Sequence, residues 1–319
     1  MGICTRLYRD GELVEEGFGL DQLAACVGED GQVAWVDLDG APGSDLNLVG
    51  EQLGLHELAI EDARESRQRP KVDHYRGHLF LTVYRTALAD DGELTTTELG
   101  IFVTPRALVT VHTGFDMAAV LRRWDTANPP TDRVGVLLHG ILDDVVDGHL
   151  QTAQAMDEDL DELEDAVFEE RAADRDLQRR TVTLRRSLSD LRHVVQPMRE
   201  LLLGLHRDHT LIDDDLRPWF ADIRDHVAHA AEMTDSLREQ LTTIRETELN
   251  IQSNRLNLIM KKVTGWAAII AIPTAITGFY GQNVPYPGAE QPWGFWVSTV
   301  AILVLSVGLY AMFRRKDWL

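Results

Sequence analysis

Two stretches near the C-terminus carry no charged side chain. Val263 to Phe279 and Trp293 to Phe313 hold no Asp, Glu, Lys, Arg or His. Each is about 20 residues, which at ~1.5 Å per residue matches a hydrocarbon core of ~30 Å. They predict two transmembrane helices rather than a buried helical hairpin, because basic residues flank them. Ahead of them the pattern changes twice. Up to about residue 130 it is mixed. Val33 to Leu38 reads as a strand, Leu46 to Leu53 and Leu55 to Ala63 as helices, and Leu79 to Arg85 alternates at period two. Glu98 to Thr104 and Ala107 to His112, joined at Pro105-Arg106, read as a hairpin.

From about Asp132 the pattern is helical. Val134 to Glu170 predicts one long helix, with Leu160, Leu163 and Val167 as its apolar stripe in an acidic tail. Asp176 to Leu205 predicts its antiparallel partner, bent at Pro197. Arg217-Pro218-Trp219-Phe220 opens a third helix, with no breaker before Pro273. Roughly 60 residues at ~1.5 Å each give about 90 Å, so this helix is expected to run from cytosol into membrane. Leu237, Ile244, Ile251 and Leu258 recur every seven residues along it, with Leu241 between the first two, as an imperfect heptad seam.

The expected organisation is therefore an α+β membrane protein. A cytosolic α/β domain occupies 1–130 and antiparallel helices with an acidic tip 131–217. A stalk helix at 218–283 continues into the first span. An external loop (284–292), a second span (293–313) and a basic tail (314–319) follow. Lys261 and Lys262 precede the first span, and Arg314, Arg315 and Lys316 follow the second. The loop has no Lys or Arg and one acid, Glu290. The positive-inside rule then places both termini in the cytoplasm of a plasma or inner membrane. The segment MGICTRLYRDGELVEE lacks the apolar region of a signal peptide.

A stripe on the first span is, apart from Met260, small or weakly polar. Alternating steps of three and four from Asn257 give Met260, Thr264, Ala267, Ala271, Thr274, Gly278 and Gly281. Such a stripe serves either close helix packing or a pore wall, where hydroxyls and carbonyls meet a hydrated ion. A pore needs several copies of the chain, because two spans cannot enclose one.

Net charge is −21 over 319 residues. This argues against nucleic acid as a partner and suits a protein that attracts cations. The acidic run Asp157, Glu158, Asp159, Asp161, Glu162, Glu164 and Asp165 either concentrates cations or is a solvated face. Cys4 and Cys26 read as free thiols. No nucleotide-binding glycine loop or Ser/His/Asp arrangement appears, so the chain is not read as an enzyme. Asp222 with His226 and Asp225 with His229 form i,i+4 pairs on the stalk helix. These suit either solvation or a metal, Zn2+ or Co2+ with the imidazoles and Mg2+ with carboxylates alone.

Past the first span stand Tyr280-Gly281-Gln282-Asn283. This motif resembles the Tyr-Gly-Met-Asn signature of the CorA family of divalent-cation channels, with Gln282 in place of Met. The ZntB-like branch has Ile there. Pro273-Thr274, the Lys316-Asp317-Trp318-Leu319 end, Asn257 and Met260 as inner pore positions, and the segment HELAIEDARESRQRPK from His56 also resemble that family. The resemblance covers the chain from about Asp37 onward. It implies a homo-oligomeric ring, a pentamer, that moves Mg2+ (or Co2+, Ni2+ or Zn2+) through a bilayer. It implies a filter of Gly281, Gln282 and Asn283, and regulatory Mg2+ held between subunits by Asp62, in the pair Glu61-Asp62, and Asp222, with Asp225 and His226 nearby. The alternative it leaves is a ZntB-like, proton-coupled Zn2+ transporter.

Overall fold

The computed structural model describes residues 2–40, 43–65, 68–127, 129, 131–168, 175–205, 213–282, 288, 291–316 and 318. The chain divides into two compact units, Met1–Thr242 and Thr243–Leu319.

The first unit is built on seven strands: β1 (Gly2–Arg9), β2 (Glu12–Glu16), β3 (Gln32–Asp39), β4 (Lys71–Tyr75), β5 (His78–Leu88), β6 (Leu94–Val103) and β7 (Ala107–His112). They form one sheet in the order β2-β1-β3-β7-β6-β5-β4. Only the β3–β7 pair is parallel. The residues Val33 to Leu38, buried throughout, form the heart of β3, because both faces of the sheet are covered there. Hairpin β1–β2 lies in a stretch assigned no strand from the pattern. Its turn is Asp10-Gly11, both at positive φ (49° and 88°), the Asp-Gly signal of a tight hairpin. Glu12, Glu15 and Glu16 keep the exposed edge strand β2 charged, which discourages further strand pairing.

One face of the sheet carries α1 (Leu23–Cys26), α2 (Gly43–Leu53) and α3 (Glu57–Asp62). Leu23, Leu46, Val49 and Ala59 meet Val36, Leu38, Phe80, Phe102 and Val109 in one apolar core. Burying a side chain of this size stabilises by about 1.5–3 kcal/mol. The other face carries α5 (Val134–Phe168). Gly148 lets α5 approach closely, since a Cβ there would stand 3.2 Å from the Thr86 carbonyl oxygen and from Arg85 Cγ. The Thr86 hydroxyl donates to the Gly148 carbonyl (3.2 Å), and Arg85 Nε donates to Asp144 (3.0 Å). A further helix, α4 (Met117–Ala127), was not anticipated; its Trp124 packs edge-on against Trp35 of β3. The helix α6 (Arg175–Leu205) runs through Pro197. Leu160, Leu163 and Val167 of α5 are buried, and the acids between them pair in part with α6: Arg180 reaches Glu162 at 2.8 Å and Asp159 at 3.9 Å. Glu169 and Glu170 lie outside the described residues.

His149 of α5 is fully buried, and its Nε2–H donates to the Tyr84 carbonyl (2.7 Å). Burial pushes its pKa down from 6.5 to about 4, against that hydrogen bond. The folded state therefore binds this proton later than the unfolded chain does. Its stability is intact above about pH 6.5 and falls as pH drops toward 4, by up to about 3 kcal/mol from this residue. His149→Gln keeps a donor for the Tyr84 carbonyl without a titrating ring. Thermal unfolding scanned from pH 7 to 4 is expected to fall less steeply in the variant.

The helix α7 (Arg217–Tyr280) begins in the first unit, where Phe220, Ile223, Val227, Leu237 and Leu241 are buried. It continues into the second unit, where it runs through Pro273; that unit also holds α8 (Pro292–Arg315). Both helices contain windows long and apolar enough to cross a membrane.

Candidate functional site

The stripe predicted from spacing stands clear of the rest of the chain. Asn257, Met260, Thr264, Ala267, Ala271, Thr274 and Gly278 are all exposed. Less exposed positions on this stretch include Gly265, Ala268, Ile269, Ile272, Pro273 and Ile276, none of them a member of the stripe. Trp266 makes a ring contact with Tyr310 of α8 (6.4 Å). A Cβ added at Gly278 would meet nothing within 4 Å, so packing within one chain does not account for that glycine.

Pro273 has no N–H to offer the carbonyl of Ile269, one turn back. Thr274 Oγ1 donates to the Ile270 carbonyl (3.0 Å) and Thr277 Oγ1 to the Pro273 carbonyl (2.8 Å). The stripe thus carries the Thr264 and Thr274 hydroxyls where a span would otherwise be hydrocarbon. At its N-terminal end Asn257, Met260 and Thr264 open on a groove of about 540 Å³, shared with Asn254, Lys261 and Trp318. At the C-terminal end α7 stops at Tyr280. The Gly281 N–H donates to the Thr277 carbonyl (2.9 Å), and Gln282 is exposed in the turn that follows. Asn283 and Glu290 lie outside the described residues.

In the first unit a second site assembles from α5 and α7. Ligand atoms of Asp143, Asp147 and His226 all lie within 4.8 Å of one another, and the three side chains are half-buried. His226 Nδ1 is sealed from solvent without a hydrogen-bond partner, and its Nε2 stands 3.9 Å from Asp222 Oδ1. Burial pushes the Asp143 carboxyl above its ordinary range; Asp147 and Asp222 add to this, while His139 and His226 oppose it. Burial holds His139 low against the pull of Asp143 and Asp222. Two carboxylates and a histidine with an unused nitrogen fit a divalent cation: the oxygens suit Mg2+, and the imidazole suits Co2+ or Zn2+.

The predicted regulatory residues divide on this geometry. His226 enters the cluster, with Asp222 at its rim. Asp225 turns away to Arg224 (3.1 Å), and His229 is exposed. Glu61 is exposed at the end of α3. Asp62 is held within its own chain: Lys71 Nζ donates to its Oδ2 (2.7 Å) and Gln68 Nε2 to its Oδ1 (3.0 Å). Burial opposes ionisation of Asp62, but these two donors and the Lys71 charge hold its carboxyl below the usual range. Asp143 and Asp147 were missed. Their signal was a pair of aspartates one turn apart in the run ILDDVVD, which also holds Asp144.

The family model described as CorA-like Mg2+ transporter protein matches residues 30–315. The chain belongs to this family. Its sequence is 29% identical over 294 residues to the cobalt/magnesium transport protein CorA of Thermotoga maritima, covering 89% of this chain and 83% of that protein. It is 26% identical to the protein of the same name from Methanocaldococcus jannaschii, over 98% of each. The fold superposes on the complete structure of the Methanocaldococcus jannaschii CorA magnesium transporter with a TM-score of 0.82 at 23% identity, covering 99% of this chain and 98% of that one. The CorA arrangement of an N-terminal α/β domain, long helices and two C-terminal apolar helices is therefore the arrangement here.

Proposed function

We propose that this chain forms a homo-oligomeric ring, a pentamer, that conducts divalent cations across the plasma or inner membrane, with Mg2+ as the leading substrate. The observation that carries this is the α7 stripe, whose members from Asn257 to Gly278 are all exposed and, apart from Met260, small or polar, with hydroxyls at Thr264 and Thr274. Copies of α7 set around an axis turn that stripe inward, and the apolar α8 faces lipid. Gly281 carbonyls, Gln282 and Asn283 amides form the outer filter. Mg2+ gives up its waters reluctantly, so oxygen ligands at this mouth select it through its hydration shell. Both termini are cytoplasmic, and the loop with Glu290 faces outward.

Regulation belongs to the cytosolic unit. Glu61 and Asp62 of one protomer meet Asp222 of the next, beside Asp143, Asp147 and His226. Carboxylates brought together repel. Mg2+ between them relieves the repulsion and favours the closed ring, because it binds that state better than the open one. High internal Mg2+ thus shuts its own route in.

The test is cation uptake in proteoliposomes with Mg2+, Co2+, Ni2+ and Zn2+ in turn, with and without a pH gradient. Uptake of Mg2+ that ignores the pH gradient is expected. Uptake of Zn2+ alone, and only with a proton gradient, would favour the ZntB-like alternative. In the same assay Gln282→Met, which restores the common signature, is expected to change the order of the series while leaving thermal stability unchanged. An identical order in both forms would remove Gln282 as the discriminating residue.

A further inference from the structure

The loop between α3 and β4 folds Lys71 back onto Asp62. Its Nζ stands 2.7 Å from Asp62 Oδ2 and 2.8 Å from Asp73 Oδ2. Both are contacts of the ammonium with a carboxylate oxygen at hydrogen-bonding distance, and Asp73 Oδ2 is sealed from solvent. Lys71 and Asp73 are two apart on one strand and so stand on the same side of it. One ammonium therefore bridges two carboxylates.

We infer that Lys71 is a tethered competitor for the regulatory cation: it bridges Asp62 and Asp73 when internal Mg2+ is low and keeps Asp73 alone when Mg2+ takes Asp62. This rests on the reading of Asp62 as a regulatory ligand. The exchange leaves no charge stranded. Mg2+ replaces the ammonium at Asp62, and the ammonium, on its flexible four-carbon stem, stays paired with Asp73. A ligand whose binding-competent state is only a fraction of the population binds more weakly by that fraction. Lys71 thereby sets the Mg2+ concentration at which the ring closes, and Asp73 sets how readily Lys71 lets go.

The experiment is protection of the purified full-length protein from limited proteolysis across a Mg2+ titration. Lys71→Met is expected to lower the midpoint about five- to tenfold, as the occupied fraction of Asp62 falls. Lys71→Gln, which keeps a donor but no charge, shifts it part of the way and carries the test should the Met variant fold poorly. Asp73→Asn takes away the alternative acceptor and raises the midpoint about two- to threefold. A plain loss of field would raise it too, so the deciding measurement is the double variant. In the Lys71→Met background Asp73→Asn is expected to do nothing, because its effect runs through Lys71. Equal shifts from Asp73→Asn in both backgrounds, or an unmoved midpoint in Lys71→Met, would overturn the inference. Asp62→Asn separates the two levels. If it titrates like wild type, Asp62 is not a regulatory ligand. If it loses the response while Lys71→Met leaves the midpoint in place, only the competitor role fails.

Discussion

Asn283→Ala is expected to reduce Mg2+ uptake to background, at least about 100-fold, while the ring still assembles. Each amide oxygen that meets a hydrated cation makes a charge-assisted hydrogen bond of about 1.5–3 kcal/mol. In a ring every copy loses it at once. Assembly is spared because α7 ends at Tyr280 and the chain has already turned at Gly281 and Gln282, so Asn283 follows the apolar span and lies outside it. Size-exclusion chromatography and proteoliposome uptake on the same preparation separate the two effects. Uptake at the wild-type rate would remove Asn283 from the filter.

Asp143→Asn with Asp147→Asn is expected to make the cytosolic unit indifferent to Mg2+. Burial and the neighbouring acids raise the Asp143 carboxyl, so the metal-free cluster holds charge at a cost. Neutralising both aspartates removes that repulsion and the ligands together. The metal-free variant should melt higher than metal-free wild type, and added Mg2+ should no longer raise its melting point. At ten times its dissociation constant, one site contributes about 1.4 kcal/mol in wild type, and the variant forfeits this. Thermal melts with and without millimolar Mg2+ give the comparison. A variant that Mg2+ still stabilises like wild type would remove Asp143 and Asp147 from the sensor and leave it to Asp62 and Asp222.

The two spans and the stripe on α7 were legible because a helix in lipid writes its environment directly into sequence, as freedom from charge and a three–four spacing. The strands β3, β5, β6 and β7 were legible for the same local reason. Hairpin β1–β2 was not, since β2 reads Glu-Leu-Val-Glu-Glu and has no buried face to impose alternation. The heptad seam on α7 was only half informative. Leu237 and Leu241 are buried within the first unit, whereas Leu258 is 51% exposed. A period of seven records that a face meets something, without saying whether the partner is the same chain. The metal cluster was legible only on its α7 side. Asp222 and His226 share a helix, but Asp143 and Asp147 reach them from α5 through tertiary packing. Lys71 escaped notice for a related reason: its grip on Asp62 spans nine residues and depends on how β4 follows α3.

The central claim is that one face of α7, and not its opposite, borders the cation path. Cysteine accessibility measures this directly. Cys4 and Cys26 are replaced by alanine, and single cysteines are placed at Thr274, at Gly278 and, on the far side of the helix, at Ile276. A membrane-impermeant, positively charged thiosulfonate is then applied from the loop side during Mg2+ uptake. Modification at Thr274→Cys and Gly278→Cys is predicted to stop uptake, while the reagent leaves Ile276→Cys uptake unchanged. Full uptake through a channel shown by mass to be modified at Thr274→Cys, or an equal block at Ile276→Cys, would contradict the assignment of that face to the pore.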